Sequence, residues 1–228
     1  SLSRYIVFSK ASTSEHPDDH VIIGISGDSA NSIITEHFGS VPEQLNHQVS
    51  GPEGAFCTRI GASPTRFELC LPTTSTGKFW AQICQVCPVA DSVAWSLQDI
   101  RAGLASVGAK STEMFIPQML DFDRTGALSF NKGCYTGQEI IARAHYRGTV
   151  KRRLHHFVCG GAATVDFDQT VILEDKQVGT VFNWERPEPG IIEGLLVLQD
   201  GIDQPVHLSG SPDEVLVTRP SHPDTAPG

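Results

Sequence analysis

No uninterrupted apolar run in this sequence approaches the ~20 residues that a membrane-spanning helix needs. The best candidate, Ile191 to Leu198, contains Glu193 and has the length of a strand. A basic-then-apolar leader is also missing, so nothing points to secretion, and the expected location is the cytoplasm with no membrane partner. Methionine occurs only at Met114 and Met119, and the first residue is Ser1. The chain is therefore expected to be a processed product or a piece of a longer one. Aromatic residues are sparse, at 7% of 228, while 39% are hydrophobic and 19% charged. That balance excludes disorder throughout and suits one large or two small globular domains.

Cysteine is present but in no framework. The six lie at 57, 70, 84, 87, 134 and 159. Cys84 and Cys87 make a single C-x-x-C pair, half of a zinc site with no second pair and no His nearby, so no metal is expected. The pair does not follow a clear strand as a thioredoxin-type motif does. Cys57 and Cys70 flank Gly61-Ala62-Ser63-Pro64-Thr65. If that segment is a hairpin turn, Cys57 faces Cys70 and Arg59 faces Glu68. Reduced core thiols are expected there.

The formal net charge is −9, which argues against non-specific nucleic-acid binding. The cations are not spread evenly. From Arg124 to Val165 the only acidic residue is Glu139, among Arg124, Lys132, Arg143, Arg147, Lys151, Arg152 and Arg153. Such an island suits an anionic ligand, and equally a solvated face neutralised by acids from elsewhere. Direct RNA binding through Arg143 to Arg153 is disfavoured, because Tyr146 is the one clear aromatic where single-strand binders interleave several.

The order of elements is α+β. Val21 to Ile25 reads as a strand. Ala30, Ile33, Ile34, His37 and Phe38 recur at helical spacing until Gly39. Strands follow near Ala55–Ile60 and Arg66–Leu71, then a helix over Lys78–Val86 ended by Pro88. Val93, Leu97, Ile100, Leu104 and Val107 predict an amphipathic helix frayed at Gly103. Beyond Gly148 the texture is short strands: Leu154–Val158, Val171–Leu173, Val178–Phe182, Ile191–Leu198 and Glu214–Thr218. Glu174-Asp175-Lys176-Gln177 reads as a hairpin tip. These strands predict a small antiparallel sheet or barrel. The expected division is 1–147, 148–220 and a Pro-rich flexible tail, 221–228.

The most informative stretch is Asn131-Lys132-Gly133-Cys134-Tyr135-Thr136-Gly137-Gln138-Glu139. Thr136 and Glu139 have capping-box spacing ahead of Ile140, Ile141 and Ala144, which predicts a helix from Thr136. Cys134 and Lys132 would then stand before its N-terminus, where free N–H groups and the dipole favour anions and a thiolate. A structural Cys behind a tight Gly turn fits the same residues as well. Trp95 lies beside the apolar stripe of its helix, placed to stack on a flat heterocycle or to close the core.

Lys132 to Glu139, K-G-C-Y-T-G-Q-E, resembles the signature of the YgfZ-type folate-binding proteins, relatives of the glycine-cleavage T-protein. Phe115-Ile116-Pro117-Gln118-Met119-Leu120, Gly126-Ala127-Leu128-Ser129-Phe130, and Trp95 followed by Ala102-Gly103 resemble the same family. The resemblance runs from about Tyr5 to about Thr218. It implies a T-protein-like folate-binding α/β domain followed by a small antiparallel β-barrel-like domain. It implies tetrahydrofolate, or a one-carbon derivative, as cofactor. It also implies support of iron–sulfur enzymes, tRNA-methylthiolating ones among them, as partners. Cys134 and Lys132 are the implied functional pair, with Trp95, Arg101, Tyr135, Gln138, Glu139 and Arg147 as implied folate-site residues beside Lys132. The resemblance also implies a further N-terminal stretch, which this sequence is expected to lack. Arg101 stands where T-proteins carry an acid, which argues against the alternative function, folate-dependent aminomethyl transfer.

Overall fold

The structure, a computed structural model, describes residues 18–146, 148–160 and 164–220. They are α+β, and they gather into two compact units, Ser1–Val89 and Ala90–Gly228.

The first unit contains β1 (His20–Ser26), α1 (Ala30–Phe38), β2 (Gln48–Ser50), β3 (Phe56–Ala62), β4 (Thr65–Pro72) and α2 (Thr73–Ile83). Its strands form one antiparallel sheet ordered β1–β4–β3–β2. Helix α1 follows its apolar spacing: Ala30, Ile33, Ile34 and Phe38 are buried, and Gly39 ends it at φ 76°. The Gly39 N–H closes the turn on Thr35 O at 2.9 Å. Helix α2 differs from the expected Lys78–Val86. It starts at Thr73, directly after Pro72, whose fixed φ and missing N–H suit the residue outside a helix. Thr76 Oγ1 donates to Pro72 O at 2.8 Å across that first turn.

The β3–β4 hairpin turns over Ser63-Pro64 as expected, with Ala62 opposite Thr65 and Gly61 opposite Arg66. A bulge between Arg59 and Gly61 then takes Ile60 out of the ladder, so Cys57 faces Leu69, Phe56 faces Cys70 and Arg59 faces Phe67. The expected Cys57–Cys70 and Arg59–Glu68 pairs are thus wrong by one residue. Opposed residues share a face and neighbours alternate, so Cys57 and Cys70 lie on opposite faces of the sheet. Both are buried free thiols.

The second unit contains α3 (Ser92–Arg101), α4 (Gln138–Tyr146) and six strands. These are β5 (Arg152–Gly160), β6 (Thr170–Leu173), β7 (Lys176–Glu188), β8 (Ile191–Gln199), β9 (Val206–Leu208) and β10 (Glu214–Thr218). They close into a barrel ordered β10–β5–β8–β7–β6–β9, antiparallel at every pair. Glu174 and Asp175, at φ 49° and 62°, form the expected tip between β6 and β7. Strands β2 and β9 have three residues each, too short to show alternation in the sequence.

Phe157, Val171, Val181, Leu196, Leu198 and Val215 fill the barrel interior. A second layer lies outside it: Leu154, Leu195 and Val197 pack with Ile100 of α3 and Leu120 of a 3-10 turn, Pro117–Leu120. Strand β8 is therefore buried on both faces, which accounts for its apolar run from Leu195 to Leu198. At Gly194 a Cβ would meet Asn183 O at 2.3 Å and Phe157 Cε1 at 2.5 Å, so only glycine lets β7 and β5 approach there. The apolar outer face also places α3 and the Pro117–Leu120 turn in one compact unit with the barrel. Helix α3 and the Pro117–Leu120 turn cover the barrel. Asp91 caps α3, accepting from Ala94 N at 2.9 Å, and Gly103 at φ 66° follows its end. Leu104 and Val107, expected on its stripe, lie beyond the helix.

Candidate functional site

Asn131 to Glu139 forms the approach to α4. Lys132, Gly133, Cys134, Thr136 and Glu139 are exposed, and Tyr135 and Gln138 are half-buried. The helix begins at Gln138 rather than at the expected Thr136, because Gly137 at φ 88° departs from helical backbone. Cys134 is a free, exposed thiol ahead of that start. Lys132 Nζ lies 4.6 Å from the centroid of the Tyr135 ring, so the ammonium is steered by a cation–π contact. Among the candidates, Lys132 and Tyr135 are thus brought together beside Cys134 in the chain.

Helix α4 buries none of its residues. Phe130 and His145 stack at 3.8 Å, and His145 meets Tyr146 edge-on at 4.7 Å, which ties the start of the segment to its end. Gln118, fully buried in the Pro117–Leu120 turn, donates from Nε2 to Ile141 O of α4 at 2.7 Å. The Gln118 backbone carbonyl accepts from Arg153 Nη1 at 3.0 Å. That same nitrogen donates to Asp121 Oδ1 at 3.0 Å and Asp123 Oδ1 at 2.7 Å. Burial pulls the Arg153 pKa down, but the hydrogen bonds to Asp123 and Asp121 outweigh it and hold the guanidinium above its ordinary value. Arg219 pairs with Asp200 and reaches Asp121 Oδ2 at 4.0 Å. His155, buried in the same region, has its pKa pushed down by desolvation, while its Nδ1 lies 3.1 Å from Arg153 O. The basic island is thus partly internal, with Arg153 neutralised by acids.

Trp95 and Arg101 belong to α3, which packs on β7 and β8. Trp95 is half-buried. Arg101 is largely exposed, yet its guanidinium is engaged: its Nε and Nη2 donate to Glu193 Oε1 and Oε2, both at 2.8 Å. His156 Nε2 approaches Glu193 Oε1 at 2.8 Å. The Arg101 hydrogen bonds, opposed by burial and assisted by His156, hold the Glu193 carboxyl below the usual range. Sequence reading passed over Glu193, Asp121, Asp123 and Gln118. Glu193 carried the one available signal, a carboxylate inside an apolar strand, which requires a partner when buried. Arg143 and Lys151 are exposed, and Arg147 lies outside the described residues, as does the tail 221–228. No group of three or more metal-ligating side chains occurs among the described residues, and no helix among them is long and apolar enough to cross a membrane.

No family model matches the chain. Curated relatives do. It is 32% identical over 200 residues to "tRNA-modifying protein YgfZ" of Yersinia pseudotuberculosis and 30% identical over 201 residues to the protein of that name from Cronobacter sakazakii. Each match covers 88% of this chain. The chain is a homologue of YgfZ. It spans 58% of the length of these YgfZ relatives. The fold agrees: the glycine cleavage system aminomethyltransferase T of Bartonella henselae superposes with a TM-score of 0.62 at 16% identity, over 91% of this chain and 59% of that one. The fold is T-protein-like.

Proposed function

We propose that the chain is a cytoplasmic folate-binding accessory factor that supports assembly or repair of iron–sulfur enzymes, including those that modify tRNA. The observation that carries this reading is the exposed Cys134 thiol next to Lys132 and Tyr135 at the approach to α4. The YgfZ relatives, named for tRNA modification, support it. The donor set fits a tetrahydrofolate. Exposed Lys132 and Arg143 offer cations to its carboxylates, and half-buried Tyr135 and Gln138 offer a ring and an amide to its heterocycle. When bound, tetrahydrofolate supplies a one-carbon carrier. With it bound, Lys132 would hold the anionic tail, Glu139 would accept a hydrogen bond from a ligand N–H, and Cys134 would remain accessible to a client. Trp95 is proposed to stack on the ligand, and Arg101, held by Glu193, to fix the end of α3. Aminomethyl transfer, the alternative, has the fold alone behind it.

Tetrahydrofolate titrated into the protein should quench tryptophan fluorescence, and Trp95→Phe should remove most of the quench. An unchanged quench in Trp95→Phe places the ligand elsewhere. In cells deprived of their own YgfZ, the wild-type chain should restore tRNA methylthiolation and Cys134→Ala should not; equal restoration overturns the role of the thiol.

A further inference from the structure

Cys84 and Cys87 lie outside the candidate site and outside the strands of the sheet. Helix α2 ends at Ile83, yet the chain makes one more turn. Cys84 N–H donates to Trp80 O at 3.0 Å, and the N–H groups of Val86 and Cys87 donate to Ile83 O at 2.9 and 2.8 Å. The Cys84 backbone is helical, at φ −61° and ψ −13°. The two cysteines are therefore i and i+3 on a helical turn, on one side of it, with Cβ atoms roughly 5–6 Å apart. A disulfide needs about 3.5–4.5 Å. Closing about an ångström is asked of the last turn of a helix, the part least constrained by the ladder. Both sulfurs are free thiols. Cys84 is exposed, while Cys87 is half-buried against the core that includes Ile83. Val86, between them, is 68% exposed, so this turn lies at the surface, where an external disulfide can meet the exposed Cys84. Cys57, Cys70 and Cys159 are buried.

We propose that Cys84 and Cys87 form a reversible dithiol–disulfide site that exchanges with external disulfides. The Cys84 thiolate attacks one sulfur of the incoming disulfide, whose S–S bond breaks and releases a first thiolate. The Cys87 thiolate then attacks Cys84 Sγ, the mixed disulfide breaks, and a second thiolate leaves. The pair loses two electrons and two protons, and the external disulfide becomes two thiols. Exposure makes Cys84 the attacking residue and Cys87 the resolving one. A thioredoxin-type pair opens a helix, whereas this one closes a helix, so the backbone that must yield is the terminal turn.

The test places the full chain in glutathione redox buffers, quenches with acid, and reads each cysteine by alkylation and peptide mass spectrometry. Wild-type protein should yield an intramolecular Cys84–Cys87 disulfide with little glutathione adduct. Cys87→Ser should accumulate glutathione on Cys84. Cys84→Ser should modify Cys87 at least several-fold more slowly than Cys87→Ser modifies Cys84. Matching circular dichroism and melting curves establish that the variants are folded. A wild-type chain carrying as much glutathione on Cys84 as Cys87→Ser does would overturn the proposal, because it would mean that Cys87 does not resolve.

Discussion

Six cysteines of one chain divide by surroundings. Burial pushes the Cys57 thiol up to about 12 and raises Cys70 and Cys159 as well. These three are poor nucleophiles near neutral pH and are shielded from reagents. Cys84 and Cys134 are exposed. Iodoacetamide at neutral pH should therefore label Cys84 and Cys134 at least ten-fold faster than Cys57 or Cys159. Cys134 should outpace Cys84, since Lys132 stands two residues away, whereas Cys84 sits at the carbonyl end of a helix. Lys132→Ala should erase that lead. Site-resolved mass spectrometry reads all the rates, and equal rates for Cys84 and Cys134 in the wild type would leave Cys134 an ordinary surface thiol.

The elements differ in how plainly the sequence announced them. Helix α1 was legible to its last residue because an apolar stripe and a terminal glycine agree. Five of the six barrel strands were legible because turn residues bracket them, and β9, only three residues long, was not. The start of α2 was not, because the stripe of Phe79 and Ile83 says nothing about the turn that Pro72 initiates. The reach of α3 was overread, since Leu104 and Val107 keep helical spacing after Gly103 has left the helix. For the candidate site, the motif was legible but its exposure was not, because a structural Cys behind a tight Gly turn fitted the same residues. The ion pairs behind it were not, because Arg153 with Asp121 and Arg101 with Glu193 are joined only by tertiary structure. Helix α4 depends on one of these hidden arrangements. It buries no residue and hangs on the Gln118 amide. Gln118→Leu removes a buried hydrogen bond of about 1 kcal/mol. Amide hydrogen exchange in 138–146 should accelerate roughly five-fold, with β5 and β8 unchanged. Uniform protection in wild type and variant would show that α4 is held by other contacts.

For the molecule as a whole, two buried groups set a pH profile. The pKa of His155 is depressed by desolvation, so below about 6.5 the unfolded chain takes up a proton that the folded chain refuses. Stability is full above that pH and falls as acid is added. The Glu193 carboxyl is depressed by Arg101, so its contribution is present above about 4.3 and is lost as pH falls through the folded value. Acid denaturation should thus begin in the histidine window and steepen in the carboxylate window. His155→Gln should flatten the first and leave the second. Glu193→Gln should destabilise by about 2 kcal/mol at neutral pH, less than the ~3–5 kcal/mol of a fully buried pair, because the Arg101 side chain is 57% exposed. Urea titrations at a series of pH values measure both; a flat wild-type profile between pH 7 and 5 would exclude His155 as its source.

The bulge at Ile60 has a consequence for making the protein. While the β3–β4 hairpin is still forming, its tip also permits the ladder that keeps Ile60 in line, and that ladder sets Cys57 directly opposite Cys70. An oxidant present at that moment can weld the slipped hairpin shut. The weld reverses which face of β3 is turned to the core, so the chain cannot go on to the native sheet. In the finished sheet the same two sulfurs are separated by the sheet itself and oxidation cannot join them. Refolding therefore belongs in reductant, which has to stay until the bulge is set and can be withdrawn afterwards.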